Sequence, residues 1–157
     1  MKHNNIAILM YDAMEYPDGY KVYLADKLDT LENNSCDNIY LADTLDYFSI
    51  DKTLEFLEQV VSKLKRLGDL HIKAPDLLQL CWYSTRMNID LAKLRHIIFD
   101  TKRKSCYGID ECILLLNDIK NLTVESTAYC NGYEYSITAK KQALEVLEDN
   151  EKEKTSN

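Results

Sequence analysis

Six apolar side chains recur three or four residues apart in this sequence: Leu54, Leu57, Val60, Val61, Leu64 and Leu67. That spacing places them on one stripe of a helix. Ser49 or Asp51 can cap its start by accepting a bond from an unpaired backbone N–H. Lys63, Lys65 and Arg66 suit the negative end, and Gly68 is the expected C-terminal cap. Short apolar runs at 38–42 and 70–74 flank the stripe and read as strands. A helix between two strands is a crossover, and crossovers favour a parallel sheet.

The remaining elements extend this unit. IAILM at 6–10 reads as a buried strand, Pro17-Asp18-Gly19 as a turn, and residues 20–24 as a second strand. Residues 27–35 are polar and irregular. Pro75-Asp76 opens a helical stretch to residue 87, and a second helix over 89–99 places Leu91, Leu94, Ile97 and Ile98 on one face. Residues 101–105 form a basic loop, and 109–119 another helix. Strands at 122–129 and 133–139 are joined through Cys130-Asn131-Gly132, where Asn-Gly tolerates the positive φ of a hairpin. Residues 140–147 predict a short helix, and 149–157 contain no apolar residue and should fray. The predicted fold is α/β: a compact Rossmann-like, mostly parallel sheet with a C-terminal antiparallel hairpin. One domain is expected over 1–147, with a flexible tail over 148–157.

A chain of 157 residues suits one domain with one core. No apolar run approaches a membrane span, and no signal-peptide core follows the N-terminus, so a cytoplasmic protein that uses no membrane is expected. The net charge of −7 argues against general nucleic-acid binding, which needs a basic face. Five widely spaced cysteines without a Cys-x-x-Cys pair read as free thiols. The three histidines lack metal-ligand spacing, so no metal site is expected.

One stretch carries a family resemblance. Residues 33–40 read Asn-Asn-Ser-Cys-Asp-Asn-Ile-Tyr, and Leu45-Asp46-Tyr47-Phe48 follows. This resembles the polar turn, Asp-x-Ile-Tyr strand and Leu-Glu-His-Phe segment of small bacterial and phage class I S-adenosylmethionine-dependent methyltransferases. Asp18-Gly19-Tyr20 is similar to that family's Pro-Gly-Tyr, and Arg66-Leu67-Gly68-Asp69-Leu70 to its Lys-Pro-Gly-Gly-x-Leu turn. Ala74-Pro75-Asp76-Leu77 is similar to its Val-Pro-Asp-Leu; Leu115-Leu116 and residues 132–139 resemble its late helix and last strand. The resemblance runs over residues 6 to 139 and implies that fold, truncated.

It also implies where a cofactor would lie. Such enzymes follow the first strand with a glycine loop, because the backbone passes close to the cofactor. Here Tyr11-Asp12-Ala13-Met14 stands there, and no glycine precedes Gly19. Tyr11 and Asp12 are the residues that would contact the cofactor. Asp26 is the nearest acid to the ribose-binding position at the end of the second strand. Only residues 27–35 separate the second strand from the third, little room for the usual adenine-pocket wall. Candidate catalytic groups are Asp43, Asp46 and Tyr47. The two aspartates can act as acid and base, or can serve the loop and the helix start; Tyr47 stands at the family's histidine.

Elsewhere, Lys102-Arg103-Lys104 can grip a phosphate or an acidic partner, or form a solvated loop. Trp82-Tyr83 with Tyr107 can stack on a ligand or pack in a core or interface. Eleven tyrosines favour a protein interface. The resulting expectation is a methyltransferase-like chain without cofactor, acting as an interaction or structural module through a protein partner or homo-oligomer. The composition, rich in Asn, Lys, Ile and Tyr, also suits a phage, which would place the protein in host cytoplasm or a virion. The alternative is an active minimal enzyme using S-adenosylmethionine.

Overall fold

A computed structural model of the chain describes residues 4–11, 14–86, 90–99 and 102–143. Six strands form one sheet: β1 (Asn5–Leu9), β2 (Lys21–Leu24), β3 (Cys36–Ala42), β4 (Leu64–Pro75), β5 (Leu122–Cys130) and β6 (Glu134–Lys141). Their order is β2-β1-β3-β4-β6-β5, with the first four parallel and β6 antiparallel to both neighbours. The predicted fold class therefore holds. The β5–β6 hairpin turns where expected, with Asn131 at φ 51° and Gly132 at φ 83°.

Four helices are described: α1 (Ile50–Lys63), α2 (Leu77–Thr85), α3 (Leu91–Phe99) and α4 (Ile109–Asn117). The crossover α1 buries Phe56, Leu57, Val60 and Val61 in the main core. Each such side chain contributes about 1.5–3 kcal/mol. Ser49 sits at its N-cap without a side-chain bond to a helix N–H; its carbonyl accepts from Lys52 and Thr53 N–H. Ile109, Cys112 and Leu116 of α4 join the same core. Asp76, buried, accepts from Gln79 N–H at the start of α2 and from Ile109 N–H at the start of α4.

Three sequence expectations change. The helix ends at Lys63, so Leu64, Leu67 and Gly68 belong to β4. Gly68 is not a helix cap: a Cβ there would lie 2.8 Å from the Asp37 carbonyl, so glycine permits strand contact. Residues 27–35 are partly ordered, since Ala25–Thr30 form a 3-10 helix around buried Leu28. Lys140 and Lys141 extend β6 rather than begin a helix; the rest of that predicted helix and the tail lie outside the described residues.

Alternation separates the two sheet faces. Ile6, Ile8, Ile39, Leu41, Leu70, Ile72, Tyr135 and Ile137 face α1 and α4 in one core. The second face holds a small cluster, Ala7, Leu9 and Ala42, covered by Met14, Tyr20, Val22 and Tyr40. On β4 and β6 that face is polar, with Lys73 paired to Glu134 at 3.0 Å and His71 Nδ1 beside Thr138 Oγ1 at 3.2 Å. Between β1 and β2 no helix occurs among the described residues, and between β2 and β3 only the 3-10 helix.

Candidate functional site

The carboxyl ends of β1, β3 and β4 meet where β2 and β3 leave β1 on opposite sides. In open α/β sheets that switch point is where ligands bind. A cleft of about 400 Å³ opens there, lined by the segment after β1 (Tyr11, Met14, Glu15, Tyr16) and by Tyr40, Ala42 and Asp43 of β3 and the residue after it. Lys73, Glu134 and Arg103 complete the charged wall, with His96 and Ile97 of α3.

Asp43 takes a left-handed φ of 52°, and its N–H donates to the Lys73 carbonyl at 2.8 Å. Thr44 Oγ1 donates to the Ile8 and Ala42 carbonyls, fixing the chain as it leaves the sheet. The next turn, Leu45–Tyr47, is a 3-10 helix whose three side chains are buried. Arg103 reaches it from the loop before α4: Nη1 donates to Asp46 Oδ2, and Nη2 lies 3.4 Å from Asp43 Oδ2. The same loop is fastened by Lys104 and Ser105 N–H donating to the Asp46 carbonyl.

Two carboxylates therefore share one guanidinium. With both ionised the cluster carries net charge −1 in a largely dry place. Burial raises the Asp46 pKa to about 7, opposed by Arg103 and reinforced by Asp43. Asp43 is also raised, first by burial, with Arg103 opposing. Cys106, nearby, is pushed up to about 12, mainly by burial, and is no thiolate nucleophile at neutral pH.

The tyrosines close the space between this cluster and β1. Tyr11 and Tyr47 hydroxyls lie 3.0 Å apart, and their rings meet edge to face at 5.8 Å. The Arg103 guanidinium lies 5.6 Å from the Tyr47 ring centre. Met14 Sδ folds back to accept from Met10 N–H at 3.3 Å.

Of the residues singled out from the sequence, Asp43, Asp46, Tyr47 and Tyr11 converge. Asp12 lies outside the described residues. Asp26 does not join them: it is exposed in the first turn of the Ala25–Thr30 helix and is not among the cleft's lining residues. The basic run divides, because Arg103 is largely covered against the aspartates, its side chain 11% exposed, while Lys102 and Lys104 are exposed; it is not a solvated loop throughout. Tyr107 stays apart from any ligand, its hydroxyl 2.7 Å from Thr53 Oγ1 in the core. Trp82 is 45% exposed under Arg86, at 4.0 Å. The sequence offered Arg103 as part of a basic run, not as the partner of the aspartates; the signal for that pairing was the need of buried Asp46 for a counter-charge.

Among the described residues no three His, Cys, Asp or Glu side chains are grouped to hold a metal, and no helix is long and apolar enough to cross a membrane.

No protein-family model matches the sequence, and no curated protein is similar to it. Solved structures are. An S-adenosylmethionine-dependent methyltransferase from Mesorhizobium loti superposes with TM-score 0.59 at 12% identity, over 87% of this chain and 90% of that one. One from Archaeoglobus fulgidus gives 0.57 at 12% identity, over 88% and 86%. One from Thermotoga maritima gives 0.54 at 17% identity over 79% of this chain, which spans 65% of that protein. Together with the strand order, these likenesses show that the chain has the mixed α/β, Rossmann-like fold of S-adenosylmethionine-dependent class I methyltransferases.

Proposed function

We propose that this chain is a methyltransferase-fold protein that does not hold S-adenosylmethionine and acts by binding another protein or a second copy of itself. The observation that carries the reading is the set of bulky side chains that follows β1. There the bonded pair Tyr11–Tyr47 and the folded-back Met14 occupy the place where the resemblance puts the cofactor's glycine loop. Two further observations support it: no α-helix occurs in the first two crossovers among the described residues, and Asp26 does not line the cleft. A partner surface is available on α2, where Leu77, Leu78 and Trp82 are 37%, 71% and 45% exposed.

Titration calorimetry with S-adenosylmethionine tests the first half. No saturable heat is expected; a micromolar dissociation constant weakened by Asp26→Ala would overturn it. Light scattering and a pull-down test the second half, and a strict monomer without a partner would refute it. The open cleft favours one second reading, an active minimal methyltransferase whose acceptor enters beside Tyr40 and Asp43. The same titration separates the two.

A further inference from the structure

The amino end of the sheet, opposite the cleft, holds a second pocket of about 540 Å³ lined by Asn34, Lys65, Arg66, Asn121, Lys141 and Gln142. Three cations and no carboxylate line it, in a protein of net charge −7. Lys141 extends its ammonium to the Val61 and Leu64 carbonyls at 2.9 and 2.7 Å and to Asn34 Oδ1 at 2.9 Å. Those three bonds use all its donors yet neutralise none of its charge. Among the described residues Lys141 forms no ion pair. Arg66 is exposed and likewise unpaired among them, whereas Lys65 is held by Asp37 at 2.8 Å.

The backbone is shaped to hold these cations. Leu64 pairs with Cys36 and Asp69 with Asn38, so four residues of β4, 65–68, stand opposite Asp37 alone. Leu67 takes φ 61° with its side chain 61% exposed, a conformation costing an ordinary L-residue roughly 1–2 kcal/mol. Gly68 then passes close against the Asp37 carbonyl. Such an irregularity re-aims side chains, and local strain concentrates at working sites. Here it falls at Lys65 and Arg66, which line the same pocket as Lys141.

We infer that this pocket binds a small multivalent oxyanion of the phosphate-ester or diphosphate class. Arg66 supplies the forked guanidinium that such an anion accepts two bonds from. Lys141 supplies fixed positive charge from below, and Lys65 a second ammonium. A polyanion would have to cross an acidic surface, which favours a small ligand.

The test is calorimetric titration of the full chain with inorganic pyrophosphate, at ionic strength matched with sodium chloride. One saturable site is expected, weakened tenfold or more in Arg66→Ala, and weakened also in Lys65→Ala. Both substitutions are on the surface, and a thermal melt confirms that each variant stays folded. Heats equal to those of chloride, or unchanged binding in Arg66→Ala, would overturn the inference. So would a single-stranded oligonucleotide that binds more tightly than pyrophosphate. S-adenosylmethionine plays no part in this titration, so its outcome is independent of the reading of the cleft.

Discussion

Asp46→Asn should change the pH dependence of stability more than stability itself. The wild-type carboxyl rises from 3.8 to about 7 on folding. The folded state therefore keeps a proton that the unfolded state releases between those values, and this group's contribution is greatest below pH 4. It is lost as pH rises through 7. A shift of that size corresponds to at most about 4 kcal/mol at 1.36 kcal/mol per unit. Asn copies the neutral carboxyl and leaves Arg103 with Asp43 as its counter-charge, so the cluster goes from net −1 to neutral rather than to a stranded cation. The variant should gain on wild type steadily from pH 4 to 7.5, by a few kcal/mol. Urea denaturation followed by circular dichroism at half-unit pH steps measures it. A wild-type-minus-variant difference that is flat over this range, or grows in wild type's favour, would refute the argument.

Two glycines give further tests. Gly68→Ala brings a Cβ within 2.8 Å of one backbone carbonyl and 3.0 Å of another, neither able to swing aside, and should cost about 2–4 kcal/mol in chemical denaturation; a neutral result would mean that the β3–β4 contact is looser than described. Gly132→Ala places a side chain at φ +83° and 2.6 Å from the Tyr83 hydroxyl, which can move, so the loss should be nearer about 1–2 kcal/mol and a few degrees of melting temperature. Equal costs at both positions would contradict this ranking.

Much of the fold was legible because its signals are local. The 3.6 period of α1, the Asn131-Gly132 turn and the apolar runs of β1, β3 and β4 each report a backbone preference of neighbouring residues. The errors fall where a tertiary contact overrides such a preference. Leu64 and Leu67 continue the helical period, yet β3 draws them into β4. Gly68 looks like a helix cap but answers to the Asp37 carbonyl. The site was legible on one side only. Tyr11, Asp43, Asp46 and Tyr47 lie close together, but Arg103 comes from a loop some sixty residues away, and no spacing rule connects it to Asp46. Asp26 stands two residues past the end of β2, exposed and outside the cleft's lining, and single-sequence boundaries are no finer than that offset.

The second sheet face bears on how freely the segment after β1 could move. On β4 the alternation Asp69, Leu70, His71, Ile72, Lys73 sends polar side chains to that face, as expected of a sheet solvated on one side. β1 differs: Ile6, Ala7, Ile8 and Leu9 are all buried, so both of its faces need cover. No helix among the described residues supplies it on the second face. Met14 and Tyr20 from the segment after β1 do, together with Val22 and Tyr40. The segment that follows β1 and lines the cleft is thus also part of the roof of β1. Moving it aside would expose Leu9, Ala7 and Ala42 and break the Tyr11–Tyr47 contact, at a cost of several kcal/mol by the usual area and hydrogen-bond scales. A cofactor would have to replace that apolar cover as well as make its own contacts. In a sheet roofed by helices on both faces the loop after β1 carries no such burden; here, among the described residues, the chain that follows β1 supplies part of that roof itself.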